Sequence, residues 1–86
     1  MAIDPSIPWP SAASRRELVK YIEALTESIR QSPELWENRD LDSYLDALGG
    51  WIDGMDGYFQ NLGQEVPTTP TWDLIAMALR AAATYE

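Results

Sequence analysis

The sequence predicts an all-α fold: a small bundle of three main helices, with a short helical turn and an extended, proline-rich N-terminal arm. Between Leu41 and Leu62, large apolar residues recur at alternating steps of four and three, which is the spacing of one face of a long helix. Helix-start residues precede two further segments with apolar periodicity. We assign residues 1–13 to the arm and 14–86 to a single helical domain. The connections are short enough for antiparallel neighbours, and a two-helix hairpin that dimerises is the alternative.

The N-terminal arm is predicted to be extended, because three of its first ten residues are proline. Proline restricts the backbone of its predecessor and removes a hydrogen-bond donor. We expect Trp9, which stands between two of these prolines, to dock on the domain. The alternative is a free arm that presents Trp9.

The first helix is predicted to begin with a capping box, in which Ser14 and Glu17 each accept from the other residue's backbone N–H. It should run to about Gln31, where Pro33 ends it and starts a short turn. Its apolar stripe consists of Leu18, Ile22, Leu25 and Ile29. Glutamates interleave with the basic residues here, which favours a solvated outer face over a basic binding patch.

The central helix is predicted to start after a cap at Asn38 or Asp40 and to carry distinct faces. Its apolar front, which we expect to be buried, consists of Leu41, Leu45, Leu48, Ile52, Met55, Phe59 and Leu62. A row of Tyr44, Trp51 and Tyr58 runs beside this front. The row either widens the buried stripe or rims a partly exposed groove.

The back of the central helix is nearly bare, because it carries Gly50, Gly54 and Gly57. With Gly49, these glycines lower the helix propensity by roughly 2–4 kcal/mol in total. One interpretation is a kink or an end near Gly49–Gly50 or Asp56–Gly57. The other is that a second backbone approaches the glycine row closely, either the N-terminal arm or a partner peptide.

The last helix follows Gly63, a natural helix stop, and a loop rich in turn residues. Thr69 and Pro70 have the pattern of an N-cap and a first helical residue, with Thr71 as the alternative cap. The helix is predicted to reach about Tyr85, whose ring packs back on the bundle. Its five alanines give it a slim profile that suits the centre of a small bundle.

The composition excludes several classes of protein. The chain has no Cys and no His, so disulfides, thiolate chemistry and a Ser–His triad are ruled out. Its net charge of -8 disfavours binding to nucleic acid or anionic lipid. No apolar run approaches the length of a membrane span, and the N-terminus lacks the signal-peptide pattern. We therefore expect a cytoplasmic protein.

The acids of the central helix lack a metal-binding pattern. The stretch 53–57 superficially suggests a calcium loop, but Met55 stands where an EF-hand needs an oxygen ligand. Asp42 and Asp46 share a helix face, but no second helix offers matching inward acids. We expect no metal, no cofactor and no enzymatic activity.

We predict a non-enzymatic protein-interaction module, an adaptor or assembly factor, that uses an acidic, aromatic face of the central helix. Tyrosine and tryptophan near aspartate supply rigid contact area and acceptors for arginine. The residues predicted to bind the partner are Trp36, Trp51, Asp53, Asp56, Tyr58 and Trp72. The alternative is an immunity- or inhibitor-type protein that masks a basic nuclease or toxin. Either a monomer or a homodimer fits the pattern.

The chain also carries an ordered series of motifs. They are Leu35-Trp36-Glu37-Asn38, Leu41 to Trp51, Asp53-x-Met55-Asp56-Gly57-Tyr58-x-x-Asn61, Val66-Pro67-x-x-Pro70-x-Trp72 and Ala76-x-x-Leu79-x-Ala81-Ala82-x-x-Tyr85-Glu86. In this pattern it resembles a family of small, uncharacterised, single-domain bacterial proteins, common in cyanobacteria, over about residues 14–86. The resemblance implies no known activity. Its polar and aromatic motif residues suggest a surface in use, and Phe59 stands where a second Tyr is expected.

Overall fold

The computed structural model of the chain describes residues 7–85 and contains three α-helices and one short 3-10 turn. The first six residues of the arm and Glu86 lie outside this range. The helices are α1 (Arg15–Gln31), α2 (Leu41–Asn61) and α3 (Trp72–Ala82), and the 3-10 turn is Pro33–Leu35. No strand occurs in the described part of the chain. The predicted all-α bundle of three main helices and a short turn is confirmed.

Each helix starts at a side-chain cap. Ser14 Oγ accepts from the Glu17 N–H at 3.2 Å, as predicted, but the Glu17 carboxylate accepts from the Ala13 N–H instead of that of Ser14. Asp40 caps α2, so the first of our two candidates, Asn38, does not.

The bounds of α3 differ from the prediction at both ends. Thr71 Oγ1 accepts from the Leu74 N–H at 3.0 Å, so the helix begins at Trp72 and the preferred cap, Thr69, was wrong. The helix ends at Ala82, and the next residues form a turn before Tyr85. The earlier end lets the chain reverse direction and bring the Tyr85 ring onto α2.

Helix α3 lies at the centre of the bundle, as its slim profile predicts. Ala76, Ala82 and Ala83 have no exposed surface, and both α1 and α2 pack on α3. By contrast, no Cα atom of α1 comes within 8 Å of one in α2. The core is accordingly split into two clusters, one centred on α1 and Trp36 and the other on Trp51 and Phe59.

Asn38 holds the α1–α2 connection against the C-terminal end of α3. Its backbone N–H donates to the Ala83 carbonyl at 3.0 Å. Its side-chain amide donates to the carbonyls of Ala82 and Tyr85 at 3.0 and 2.7 Å. These carbonyls follow the last helical hydrogen bonds and lack helical partners, so Asn38 satisfies groups that a helix end leaves open.

The glycine row of α2 is covered by an aromatic ring. Helix α2 is continuous from Leu41 to Asn61, so the predicted end at the glycines was wrong. A Cβ atom built on Gly50 would lie 3.0 Å from Tyr85 Cε2, and one on Gly54 would lie 3.8 Å from the Tyr85 hydroxyl. The close neighbour is therefore a side chain of the same chain, and neither the arm nor a partner peptide is needed to explain these two glycines.

The described part of the N-terminal arm, residues 7–13, packs on the domain, but the Trp9 ring does not. Ile7 and Ala12 are buried. The Tyr21 hydroxyl donates to the Pro8 carbonyl at 3.0 Å, and the Ala12 N–H donates to Asp73 Oδ1 at 3.1 Å. Trp9 nevertheless remains 86% exposed, so the expectation that its ring packs on the domain was wrong, and the arm presents it without being free.

Candidate functional site

Much of the apolar front of α2 faces solvent, which contradicts the prediction that it is buried. The exposed fractions are 71% for Leu41, 54% for Leu45, 50% for Ile52 and 54% for Leu62. Leu48 and Met55 are half-buried, and Phe59 is buried. The front is therefore a core element near the C-terminal end of α2 and a surface over most of its length. We call Leu41, Leu45, Leu48 and Ile52 the exposed stripe.

The reason for this exposure is that α2 turns Tyr44 and Trp51 toward α3, and of its apolar front only Leu48, Met55 and Phe59 pack in the core cluster that includes Ala78 of α3. The Tyr44 hydroxyl donates to the Leu79 carbonyl at 2.7 Å, and burial raises the pKa of this hydroxyl above its ordinary value. Trp51 is 7% exposed and shares a core cluster with Ala78. One interpretation of the aromatic row, that it widens the buried stripe, therefore holds for Tyr44 and Trp51.

An apolar groove separates α1 from α2. It encloses about 410 Å³. Its lining residues are Ile22, Leu25, Thr26, Ile29, Trp36, Asn38, Arg39, Asp40, Leu41, Tyr44 and Leu79. Leu79 of α3 forms the floor, because α3 is the helix on which both walls pack. On the α1 side, Ile22 and Val19 are 44% and 50% exposed, so apolar surface extends up the first wall as well.

A second apolar hollow continues along the same side of α2. It encloses about 270 Å³ between α2, α3 and the loop before α3, and Ile52 and Ile75 line it. Ile75 is one helical turn before Leu79, and Ile52 is three turns after Leu41, so both pairs keep to one helix face. The exposed stripe thus joins the two hollows over about 16 Å of helix.

Charges border the groove unequally. Asp42 follows Leu41 directly and precedes Leu45 by three positions, and Asp56 is one turn after Ile52 on the same side of α2; both acids are exposed. On α1, Arg15 is one turn before Val19, and Arg30 is one turn after Thr26. The α2 border is therefore acidic, whereas the α1 border carries both signs, because the exposed Glu23 is one turn after Val19, between the two arginines.

Arg39 and Asp40 close the groove at the α1–α2 connection. The Ser43 hydroxyl and backbone N–H both donate to the Asp40 carboxylate, at 3.1 and 3.2 Å. These hydrogen bonds hold the pKa of the Asp40 carboxyl below its ordinary value, and the bond from the Ser43 hydroxyl has the largest effect. Asp40 is thus an anionic group at this end of the groove at neutral pH.

The residues predicted to bind a partner do not form one surface. Trp36 and Trp51 are 6% and 7% exposed and belong to separate core clusters, so the folded domain leaves little of either ring accessible. Trp51 and Asp53 are two positions apart, about 200° around a helix, and accordingly Trp51 is buried while Asp53 is exposed. Of the six, Asp53, which directly follows Ile52, and Asp56, one turn after Ile52, border the exposed stripe.

Tyr58 and Trp72 are each 42% exposed. The Tyr58 ring lies 5.7 Å from that of Trp51 and 5.2 Å from that of Phe59. Tyr58 and Trp51 also line a shallow cleft of about 310 Å³ with Trp9 of the arm and Arg80 of α3. Two of the three residues of the predicted aromatic row therefore line a cleft with the arm, on a surface separate from the groove.

The prediction missed the α1 wall of the groove, in particular Ile22 and Val19. A signal was present in α2. Its apolar front and its aromatic row together cover more than half of the helix circumference, and a single slim neighbour such as α3 cannot cover so wide an arc. The excess had to face either a second helix or solvent, and the sequence does not say which.

The described residues contain neither a cluster typical of a metal centre nor a helix suited to span a membrane. Between residues 7 and 85, no three His, Cys, Asp or Glu side chains lie close enough together to hold a metal ion. None of the helices in this range combines the length and apolar character that a bilayer crossing requires.

The fold and this surface define a small acidic α-helical domain with a solvent-open apolar groove. Residues 14–86 match the family of unknown function DUF7660, so the chain belongs to that family. The match covers the range expected for an uncharacterised single-domain family. Neither a curated protein nor a solved structure matches the chain.

Proposed function

We propose that this protein is a non-enzymatic protein-interaction module, an adaptor or assembly factor, whose contact surface is the exposed stripe of α2 and the groove beside it. The observation that supports this proposal is the exposure of Leu41, Leu45 and Ile52, each half or more accessible, along one line of one helix. Contiguous apolar surface bordered by charge is typical of protein interfaces.

A partner would gain free energy by burying the apolar side-chain surface of α2 that folding leaves exposed. Fully burying a Leu or Ile side chain contributes about 1.5–3 kcal/mol relative to leaving it exposed. Folding buries only part of each side chain of the stripe, because α1 does not approach α2. A partner that covers the stripe gains the remainder without rearranging the backbone, since α2 is already a continuous helix.

The test is quantitative capture of partners from native lysate with the full chain and with the single variants Leu45→Glu and Ile52→Glu. We expect both variants to lose the proteins that the unchanged chain retains, because a carboxylate in a covered apolar contact is costly. Gln60→Glu, at an exposed polar position of the same helix, adds the same charge and should retain them. Equal capture by all four proteins would contradict the proposal.

An immunity- or inhibitor-type role is a second candidate, favoured by the exposure of Asp42, Asp46, Asp53 and Asp56 along α2. In that role the protein would mask a basic nuclease or toxin, and association would weaken strongly with added salt. An adaptor that binds mainly through the stripe would show little salt dependence. We place either function in the bacterial cytoplasm.

A further inference from the structure

We infer that the groove takes one amphipathic helix of a partner protein, about three turns long, whose edge toward α2 is basic. This inference rests on the proposed function and adds to it the shape and the charge of the partner. It follows from the length of the exposed stripe, the depth of the groove and the unequal charge of the two borders.

A helix fits the shape of the groove. The floor is α3, the walls are α1 and α2, and the two hollows along α2 accept side chains at the Leu41 end and at the Ile52 end. About 16 Å separates these ends, so a partner helix places apolar residues in both by using positions i, i+3 or i+4, i+7 and i+11. An added strand has no sheet edge to join here, because the described part of the chain contains no strand.

The borders determine the charge of the partner. From Asp40 to Asp56, α2 and its cap carry five aspartates and no basic residue, and Asp42 and Asp56 flank the stripe on its outer side. On α1, Arg15 and Arg30 occupy the corresponding outer positions. A docked helix therefore meets carboxylates without any intervening base along its α2 edge, and the side of the helix that is complementary to this edge carries Lys or Arg.

A second copy of this chain is a poorer occupant. Each copy carries a net charge of -8, so self-association brings like charges together. A basic partner instead lowers the total charge of the complex.

The experiment uses two synthetic helices, each locked by a side-chain lactam, with leucine at the apolar positions. One carries lysine on both edges and the other carries glutamate, so that neither can avoid α2 by reversing its direction in the groove. Affinities for the full chain are measured by fluorescence anisotropy at low and physiological salt. We expect binding of the lysine helix and at least tenfold weaker binding of the glutamate helix.

Variants distinguish groove binding from general attraction to an acidic protein. Leu41→Glu and Ile52→Glu add negative charge, so nonspecific attraction would strengthen the binding of the lysine helix, whereas docking in the groove predicts at least tenfold weaker binding. Leu41 is the first residue of α2, where an acidic side chain is compatible with the helix dipole. The fold of each variant is checked by circular dichroism.

Neutralising Asp42 and Asp56 tests whether the acidic border of α2 attracts the basic helix. The double variant Asp42→Asn, Asp56→Asn should bind the lysine helix about five- to thirty-fold more weakly at low salt, since two rim charge pairs are lost. Glu65→Gln is the control, because Glu65 is an exposed acid of the loop before α3 that lines neither hollow, and it should change affinity less than about twofold.

Three results would overturn the inference. The first is equal binding of the two synthetic helices, and the second is no binding of either. The third is a dimer in sedimentation experiments that Leu41→Glu dissociates, because the groove would then be occupied by a second copy of the chain. The proposed function fails separately, only if the stripe variants capture partners from lysate as well as the unchanged chain does.

Discussion

The ring of Tyr85 lies against Gly50, so that a Cβ atom at that position would be 3.0 Å from Tyr85 Cε2. The Asn38 side-chain amide donates a hydrogen bond of 2.7 Å to the backbone carbonyl of Tyr85. This bond restricts how far the Tyr85 ring can move away from Gly50. Gly50 is therefore a packing requirement of the C-terminal segment.

Substituting the neighbouring glycines tests this relationship. Gly49→Ala should raise the free energy of unfolding by about 0.5–1 kcal/mol, because alanine favours the helix and nothing lies within 4 Å of the new methyl group. Gly50→Ala should raise the free energy of unfolding by less than Gly49→Ala does, or lower it, because the Tyr85 ring must shift. Urea unfolding measures both, and combining Gly50→Ala with Tyr85→Ala should restore the missing gain. Equal gains from the two single variants would refute the packing role.

The core and the exposed stripe of α2 should respond differently to truncation. Trp51→Ala should lower the free energy of unfolding by about 3–5 kcal/mol, since the ring is buried and its loss leaves a cavity. Leu45→Ala and Ile52→Ala should cost less than about 1 kcal/mol each, because folding buries only about half of either side chain. Denaturant titration with circular dichroism gives the three values. A stripe variant as costly as Trp51→Ala would mean that the stripe is core in solution.

Removing the Asn38 side chain should loosen the α1–α2 connection from α3. Asn38→Ala deletes two donors to otherwise unpaired carbonyls and should cost about 1–3 kcal/mol. Asn38→Asp keeps the size but places an acceptor against the carbonyls of Ala82 and Tyr85, so it should cost at least as much. Amide exchange near residues 82–85 should accelerate in both. Wild-type stability of Asn38→Asp would exclude the donor role.

The cap of α2 predicts a specific acid dependence. The folded pKa of Asp40 lies below its ordinary 3.8, so the folded state holds this proton less tightly than the unfolded state does. The cap's contribution is therefore complete above about pH 5 and is lost as the pH falls through 3.8 to the folded pKa. Asp40→Asn retains a capping oxygen but does not titrate, so its stability should fall less over this interval. Parallel acid unfolding curves for the two proteins would show that other carboxyls dominate.

Local sequence patterns predicted where the helices lie better than they predicted which face of each helix is buried. Ser14, Asp40 and Gly63 mark element ends in the sequence because caps and stops act within one turn of the chain. The existence of α1, α2 and α3 followed from apolar periodicity. The choice of Thr71 over Thr69 depends on one hydrogen bond, and two adjacent threonine-containing motifs are equally suited to make it.

The orientation of α2 could not be predicted in the same way. Its apolar front and its aromatic row were both suitable for burial, and the choice depends on how far α2 lies from α1, which no short segment encodes. Once Tyr44 and Trp51 pack on α3, the exposed stripe must face outward. Of the residues in the function prediction, Trp36 and Trp51 are buried in the core, whereas Asp56 lies beside the exposed stripe, and their role in binding stays a prediction.

The separation of α1 from α2 has a mechanical consequence. The two helices are joined through residues 32–40, which Asn38 fastens to α3, and from there they diverge with α3 between them. We expect the opening of this groove to change by small sliding of each wall over the alanines of α3, while the hydrogen bonds of Asn38 hold its closed end. Such a receptor would accommodate contacts of different girth, from valine to phenylalanine, by adjusting its span instead of repacking its core.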